Sequence, residues 1–131
     1  MKLTVVIGGT RSGKSAHAEA LAAATGLPVR YVATADDGDP AMAERIRRHV
    51  QRRPPEWTTV ATGRRLADAV TDSEATCILI DGLGPWIGTA LHRDGAFEAG
   101  MDAAALDSIG AALLAEVDRT VEVLTGAGAA I

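Results

Sequence analysis

The residues Gly8-Gly9-Thr10-Arg11-Ser12-Gly13-Lys14-Ser15 follow the pattern G-x-x-x-x-G-K-[ST] in full, and each residue type in it has a task around a polyphosphate. Glycine permits backbone turns that a Cβ would forbid, so successive N–H groups can converge on phosphate oxygens. Lys14 would bring a point charge to the β- and γ-phosphates, and the Ser15 hydroxyl would ligate Mg2+. The plain alternative is a glycine-rich turn with a chance Lys-Ser pair, and the flanking residues argue against it. Leu3-Thr4-Val5-Val6-Ile7 reads as a buried strand leading in. Ala16 to Ala24 reads as a helix leading out, whose positive N-terminal end would lie beneath the phosphates. The motif implies binding of a nucleoside triphosphate.

Two further sets of residues could join that chemistry. Asp81 closes the apolar run Cys77-Ile78-Leu79-Ile80. Parallel strands bring their carboxyl ends to one edge of a sheet, so Asp81 should meet the loop there and hold Mg2+ directly or through water. The alternative is an aspartate that opens a turn with Gly82. The second set is the charged run Glu44 to Arg53, in which Arg45, His49 and either Arg52 or Arg53 share a face if the run is helical. Nearby cations disfavour the imidazolium and leave the ring a nucleophile. The same arginines could clamp a triphosphate and offset charge on a leaving pyrophosphate. From spacing alone, a solvated basic helix face with an idle histidine is the better reading.

The elements that must carry these residues alternate between strand and helix. Gly26-Leu27-Pro28 stops the first helix, and Val29 to Thr34 forms a second strand. Asp39-Pro40 opens a helix over about 41–51, with Asp39 as its N-cap, and Pro54-Pro55 lie beyond its end. A short strand Trp57 to Ala61 and a short helix Arg64 to Val70 follow. The Cys77–Ile80 run has the continuous apolarity of a central parallel strand covered on both faces. Leu83 to Leu91 is helical despite Gly84, Pro85 and Gly88, and Ala104 to Leu124 is an amphipathic helix. That helix should bury Leu106, Ile109, Leu113, Leu114, Val117, Val121 and Leu124. Gly126 to Ile131 reads as a turn entering another strand, with an Ala/Gly-rich frayed tail as the alternative. The expected fold is α/β, a doubly wound and mostly parallel sheet between helices with a phosphate loop at its first turn.

Composition narrows the classes. At 131 residues the chain suits one domain with one core, and 47% hydrophobic with 23% charged residues is a globular balance. A formal net charge of -4 argues against a general nucleic-acid binder. A single cysteine, Cys77, cannot close an internal disulfide and agrees with a reducing compartment. The stretch before Gly8 is too short for a signal peptide's apolar region, and no run reaches the ~18–20 apolar residues of a membrane span. A cytoplasmic protein is expected.

Several blocks together resemble a known family. Gly8 to Ser15 with His17-Ala18-Glu19, then Tyr31-Val32-Ala33-Thr34, Met42-Ala43-x-Arg45-Ile46-x-x-His49, Arg53-Pro54-x-x-Trp57-x-Thr59 and Leu79-Ile80-Asp81-x-Leu83-x-x-Trp86 occur in order. This series is similar to the bifunctional adenosylcobinamide kinase/adenosylcobinamide-phosphate guanylyltransferases of cobalamin synthesis. The resemblance implies a RecA-like P-loop domain that transfers the γ-phosphate of ATP or GTP to the hydroxyl of adenosylcobinamide, with Mg2+ as cofactor. It also implies that His49 attacks the α-phosphate of GTP and carries GMP to adenosylcobinamide phosphate, which reverses the idle reading of this histidine. It adds Thr34 to the nucleotide-contacting residues and implies a homo-oligomer, a trimer.

The sequence departs from the family pattern at Ala61, where glutamate is usual, and at Gly84 and Thr89, where threonine and asparagine are frequent. Family members also continue with an Asn-Glu-Val-Gly-containing loop and further sheet, so 1–131 is expected to be one nucleotide-binding domain lacking the family's C-terminal part. Two alternatives stay open. One is a P-loop kinase of another small hydroxyl substrate, and the other is a non-catalytic nucleotide-binding remnant.

Overall fold

The computed structural model describes residues 3–34, 40–62, 65–71 and 76–126, with the side chains of Met42, Arg45 and Ile46 outside that description. Among the described residues five helices and three strands follow one another as α1 (Lys14–Ala24), β1 (Val29–Ala33), α2 (Pro40–Gln51), β2 (Thr58–Ala61), α3 (Leu66–Ala69), β3 (Cys77–Asp81), α4 (Leu83–Arg93) and α5 (Ala103–Gly126). The strands form a parallel sheet in the order β2-β1-β3. Its register sets Ala33 opposite both Ala61 and Asp81, and Tyr31 opposite both Thr59 and Leu79.

Side chains alternate across the strands, so the sheet has two distinct faces. Val32, Ile78 and the half-buried Val60 and Ile80 point to one, where Leu66, Ala69 and Val70 around α3, Trp86 and Ala90 of α4, and Leu113 and Leu124 of α5 cover them. Val29, Cys77 and Leu79 point to the other, against Ala22 of α1 and Trp57. The α/β expectation is met. No helix among the described residues is long and apolar enough to cross a membrane.

Local chemistry accounts for the helix ends. Gly13, at φ 82°, turns the chain into α1, and Gly26, at φ 68°, follows the helix end, where the Thr25 hydroxyl donates to the Ala22 carbonyl at 2.7 Å. Pro40 occupies the first position of α2, where a missing N–H costs nothing. The expected cap Asp39 lies outside the described residues, as does Arg64 at the expected start of α3. Pro85 is accepted in the first turn of α4 for the reason that applies to Pro40.

Three expectations need correction. Leu3 to Ile7 is not a strand: Leu3, Val5 and Ile7 are 51%, 70% and 88% exposed, and the segment pairs with none of the three strands. Apolar alternation supplies propensity, but a strand exists only against a neighbour that takes its hydrogen bonds. β1 is the central strand, and β3 lies at the end of the described sheet. A continuous apolar run reports that both faces are covered and says nothing of how many strands flank it.

The third correction concerns α5, which buries Leu113, Glu116, Thr120 and Leu124 while Leu106, Leu114 and Val121 are exposed. The buried stripe is turned toward two polar residues because Glu116 is needed inside. Its Oε1 accepts the Ala67 N–H at 3.0 Å, a free amide in the first turn of α3, and its Oε2 accepts from Arg119 at 3.0 Å. The expected strand after Gly126 lies outside the described residues, and Gly126 itself still belongs to α5.

Candidate functional site

The loop from Gly8 to Gly13 takes its shape from backbone geometry that few residues tolerate. Arg11 has φ 55° and Gly13 φ 82°, both left-handed, and a Cβ built on Gly8 would lie 2.6 Å from Ser12 Oγ. Gly8, Gly9, Thr10, Arg11, Ser12 and Gly13 are all exposed, so the loop's backbone faces solvent at the start of α1. Lys14 Nζ donates to the Gly9 carbonyl at 3.0 Å, which brings the ammonium back over the loop.

Ser15, in the first turn of α1, donates from Oγ to Asp81 Oδ1 at 3.2 Å. The loop and the carboxyl end of β3 therefore meet, although the segment leading into the loop is not paired into the sheet. One hydroxyl and one carboxylate oxygen are hard donors. Among the described residues no group of three or more His, Cys, Asp and Glu side chains gathers to hold a metal. That small donor set suits Mg2+, which takes one or two protein oxygens and completes its octahedron with phosphate and water.

Thr34, just past β1, is buried at the same edge. Its hydroxyl donates to the Gly82 carbonyl at 2.6 Å and accepts the Gly82 N–H at 2.9 Å, clipping the ends of β1 and β3 together. Its side chain is engaged by protein on both counts.

The charged helix separates into residues with different surroundings. His49 is half-buried near the end of α2, and Arg52 Nη2 lies 3.0 Å from its Nδ1. Arginine can only donate, so Nδ1 is the acceptor in this contact. Arg47 and Arg48 both pair with Glu44 on the exposed side. The side chain of Arg45 lies outside the described residues.

Arg53 is not on that surface. Its side chain is 4% exposed, its guanidinium sits 3.1 Å from the Tyr31 ring centroid, and it faces Glu19 of α1 at 3.8 Å. Of the two arginines that could share a face with His49, Arg52 is the one beside it, while the place of Arg45 on that face lies outside the described residues. Tyr31 and Glu19 carried no role in the sequence beyond their place in the quoted blocks. The signal for them was available only jointly: the two-residue alternation puts Tyr31 and Asp81 on one face once the β1–β3 register is known. Burial, together with the hydrogen bond to Asp81, pushes the Tyr31 phenol far above its ordinary value, so it remains an O–H donor.

A family model described as cobinamide kinase / cobinamide phosphate guanyltransferase matches residues 4–130. The chain belongs to that family. It is 46% identical over 93 residues to the bifunctional adenosylcobalamin biosynthesis protein CobP of Pseudomonas aeruginosa, a match covering 69% of this chain and 53% of the relative. Bifunctional adenosylcobalamin biosynthesis proteins CobU of Escherichia coli and Salmonella typhimurium are each 44% identical, over 68 and 69 residues. Those matches cover 52% and 53% of this chain and 37% and 38% of the relatives. The chain spans about half the length of the Pseudomonas relative, which its match covers to 53%, and less of the other two. The α/β fold, with its phosphate loop between the opening segment and α1, is the P-loop arrangement of this family.

Proposed function

We propose that this chain carries the nucleotide-handling part of a cytoplasmic cobinamide kinase/cobinamide phosphate guanylyltransferase. The meeting of Ser15 and Asp81 at the phosphate loop is the observation that carries the kinase half of the reading. In that half, the loop amides and Lys14 hold the β- and γ-phosphates of ATP or GTP while the corrinoid hydroxyl attacks the γ-phosphorus; the bond to the β–γ bridging oxygen breaks, the nucleoside diphosphate leaves and the hydroxyl proton passes to water. Ser15 and Asp81 would hold Mg2+, which supplies neutralisation of the phosphate charge when bound. Lys14 leaves the Gly9 carbonyl to reach the nucleotide, exchanging one oxygen acceptor for another.

In the guanylyltransferase half, the His49 nucleophile forms an N–P bond to the α-phosphorus of GTP. The bond to the bridging oxygen breaks and pyrophosphate leaves. The phosphate oxygen of the corrinoid then displaces the imidazole, regenerating His49. Arg52 must release Nδ1 for that nitrogen to attack, and the incoming triphosphate offers its guanidinium a stronger acceptor. A homotrimer belongs to the same proposal, and sedimentation at graded concentrations tests it.

The deciding experiment is incubation with α-labelled GTP followed by acid and base treatment of the protein. A label stable in base and lost in acid, absent in His49→Asn, supports the covalent route, while γ-label transfer to adenosylcobinamide should persist in that variant. Normal labelling of His49→Asn would move the nucleophile to His17 or His92. Corrinoid phosphorylation with no protein adduct would favour a plain kinase, in keeping with Arg52 occupying the histidine.

A further inference from the structure

Asp81 is held by a second hydroxyl besides that of Ser15. Tyr31 donates from its phenol to Asp81 Oδ2 at 2.5 Å, so the carboxylate has one hydroxyl donor on each oxygen. The register explains how the ring reaches. Tyr31 and Ala33 lie on the face of β1 that Leu79 and Asp81 occupy on β3, with Ala33 directly opposite Asp81. Diagonal neighbours on adjacent strands are within reach of an aromatic side chain. Ala33 is small, and its methyl leaves the path along the strand open.

The ring is held by a side chain that is itself fixed by two others. The Arg53 guanidinium stacks on it, Glu19 of α1 faces that guanidinium, and Arg53 also donates to Thr59 Oγ1 of β2 at 3.4 Å. Ser15 and Glu19, four residues apart on α1, share a helix face. The phosphate-loop helix, the central strand and the segment after α2 thus meet at the Tyr31–Arg53 pair. A buried hydroxyl is costly unless bonded, and a phenylalanine would fill the same space without that demand. Here the hydroxyl is bonded to the carboxylate.

We propose that Tyr31 is the positioning residue for Asp81, fixing the carboxylate rotation that presents Oδ1 to the cation site beside Ser15. The inference rests on the reading of Asp81 as a cation ligand given above. Groups that orient a ligand from behind typically carry ten- to a hundredfold in metal affinity.

The test uses Mn2+ as the probe cation, with its free ion followed by electron paramagnetic resonance, in the presence of a non-hydrolysable GTP analogue. Tyr31→Phe should weaken Mn2+ binding to the nucleotide-loaded protein by about tenfold or more. Its affinity for the analogue in EDTA and its far-ultraviolet circular dichroism should stay those of the parent, which a merely structural role would not predict. Asp81→Asn sets the scale. Mn2+ affinity in Tyr31→Phe within about twofold of the parent, with Asp81→Asn weakened, overturns the inference alone. Unchanged affinity in both variants overturns the cation-ligand reading and the inference with it.

Discussion

Lys14 Nζ donates to the carbonyl of Gly9, so the loop's one lysine is held over the turn that precedes it. The bond is exposed and contributes little to the fold, whereas the same ammonium on a phosphate makes a charge-assisted bond. Lys14→Ala should therefore lower thermal stability by less than about 1 kcal/mol while weakening GTP binding by roughly ten- to a hundredfold. Calorimetric titration beside a melting curve separates the two effects. Unchanged affinity in a folded variant would remove Lys14 from the phosphate site.

Two of the three loop glycines, Gly13 and Gly9, differ in what a methyl would cost. Gly13 has φ 82°, and Gly13→Ala should destabilise the protein by about 1–2 kcal/mol through left-handed backbone strain. A Cβ on Gly9 meets nothing within 4 Å, so Gly9→Ala should stay within about 0.5 kcal/mol. Urea midpoints at constant slope measure both. Equal losses would show that the loop is held by something other than backbone conformation.

Glu116 gives α3 the acceptor that the first turn of a helix lacks internally. Removing it in Glu116→Ala leaves a buried N–H unsatisfied, at a cost of about 1–3 kcal/mol. Glu116→Gln retains an acceptor oxygen for Ala67 and should lose less. The ranking of the two urea midpoints is the check, and a larger loss for glutamine would point to the charge rather than the cap.

Burial pushes the Cys77 thiol above its ordinary value of 9.0, against a smaller opposing hydrogen bond from Thr25. In the unfolded chain this proton leaves first. Stability from Cys77 is therefore complete below pH about 9 and declines as pH rises beyond it, by at most about 1.4 kcal/mol per pH unit. Denaturant titrations on either side of that pH should show a flatter decline in Cys77→Ala. An equal decline would assign it to other groups.

The phosphate loop, the helix behind it and Asp81 at a strand end were legible because they depend on local residue types and on one topological rule. The Ser15–Asp81 contact was expected on that rule and is present, although the strand that was to lead into the loop is not paired into the sheet. What escaped depended on neighbours distant in the chain. The opening Leu3–Ile7 segment has strand composition, yet pairs with none of the three strands. Arg53 reads as one more cation in a basic run, and its inward turn is decided by Tyr31 and Glu19, which come from two other elements. The α5 stripe is rotated by Glu116, whose partner Ala67 lies 49 residues earlier. Periodicity locates a helix face only when apolar burial alone sets it.

The clip between Thr34 and Gly82 makes the Gly82 amide a built-in clock. This proton is bonded to the Thr34 hydroxyl rather than to a strand partner, so its exchange with deuterium reports how often the ends of β1 and β3 part. Because Gly82 follows Asp81 directly, its exchange rate reads the integrity of the nucleotide edge in the free protein. Thr34→Val should quicken it while leaving the exchange of the central β1 amides unchanged.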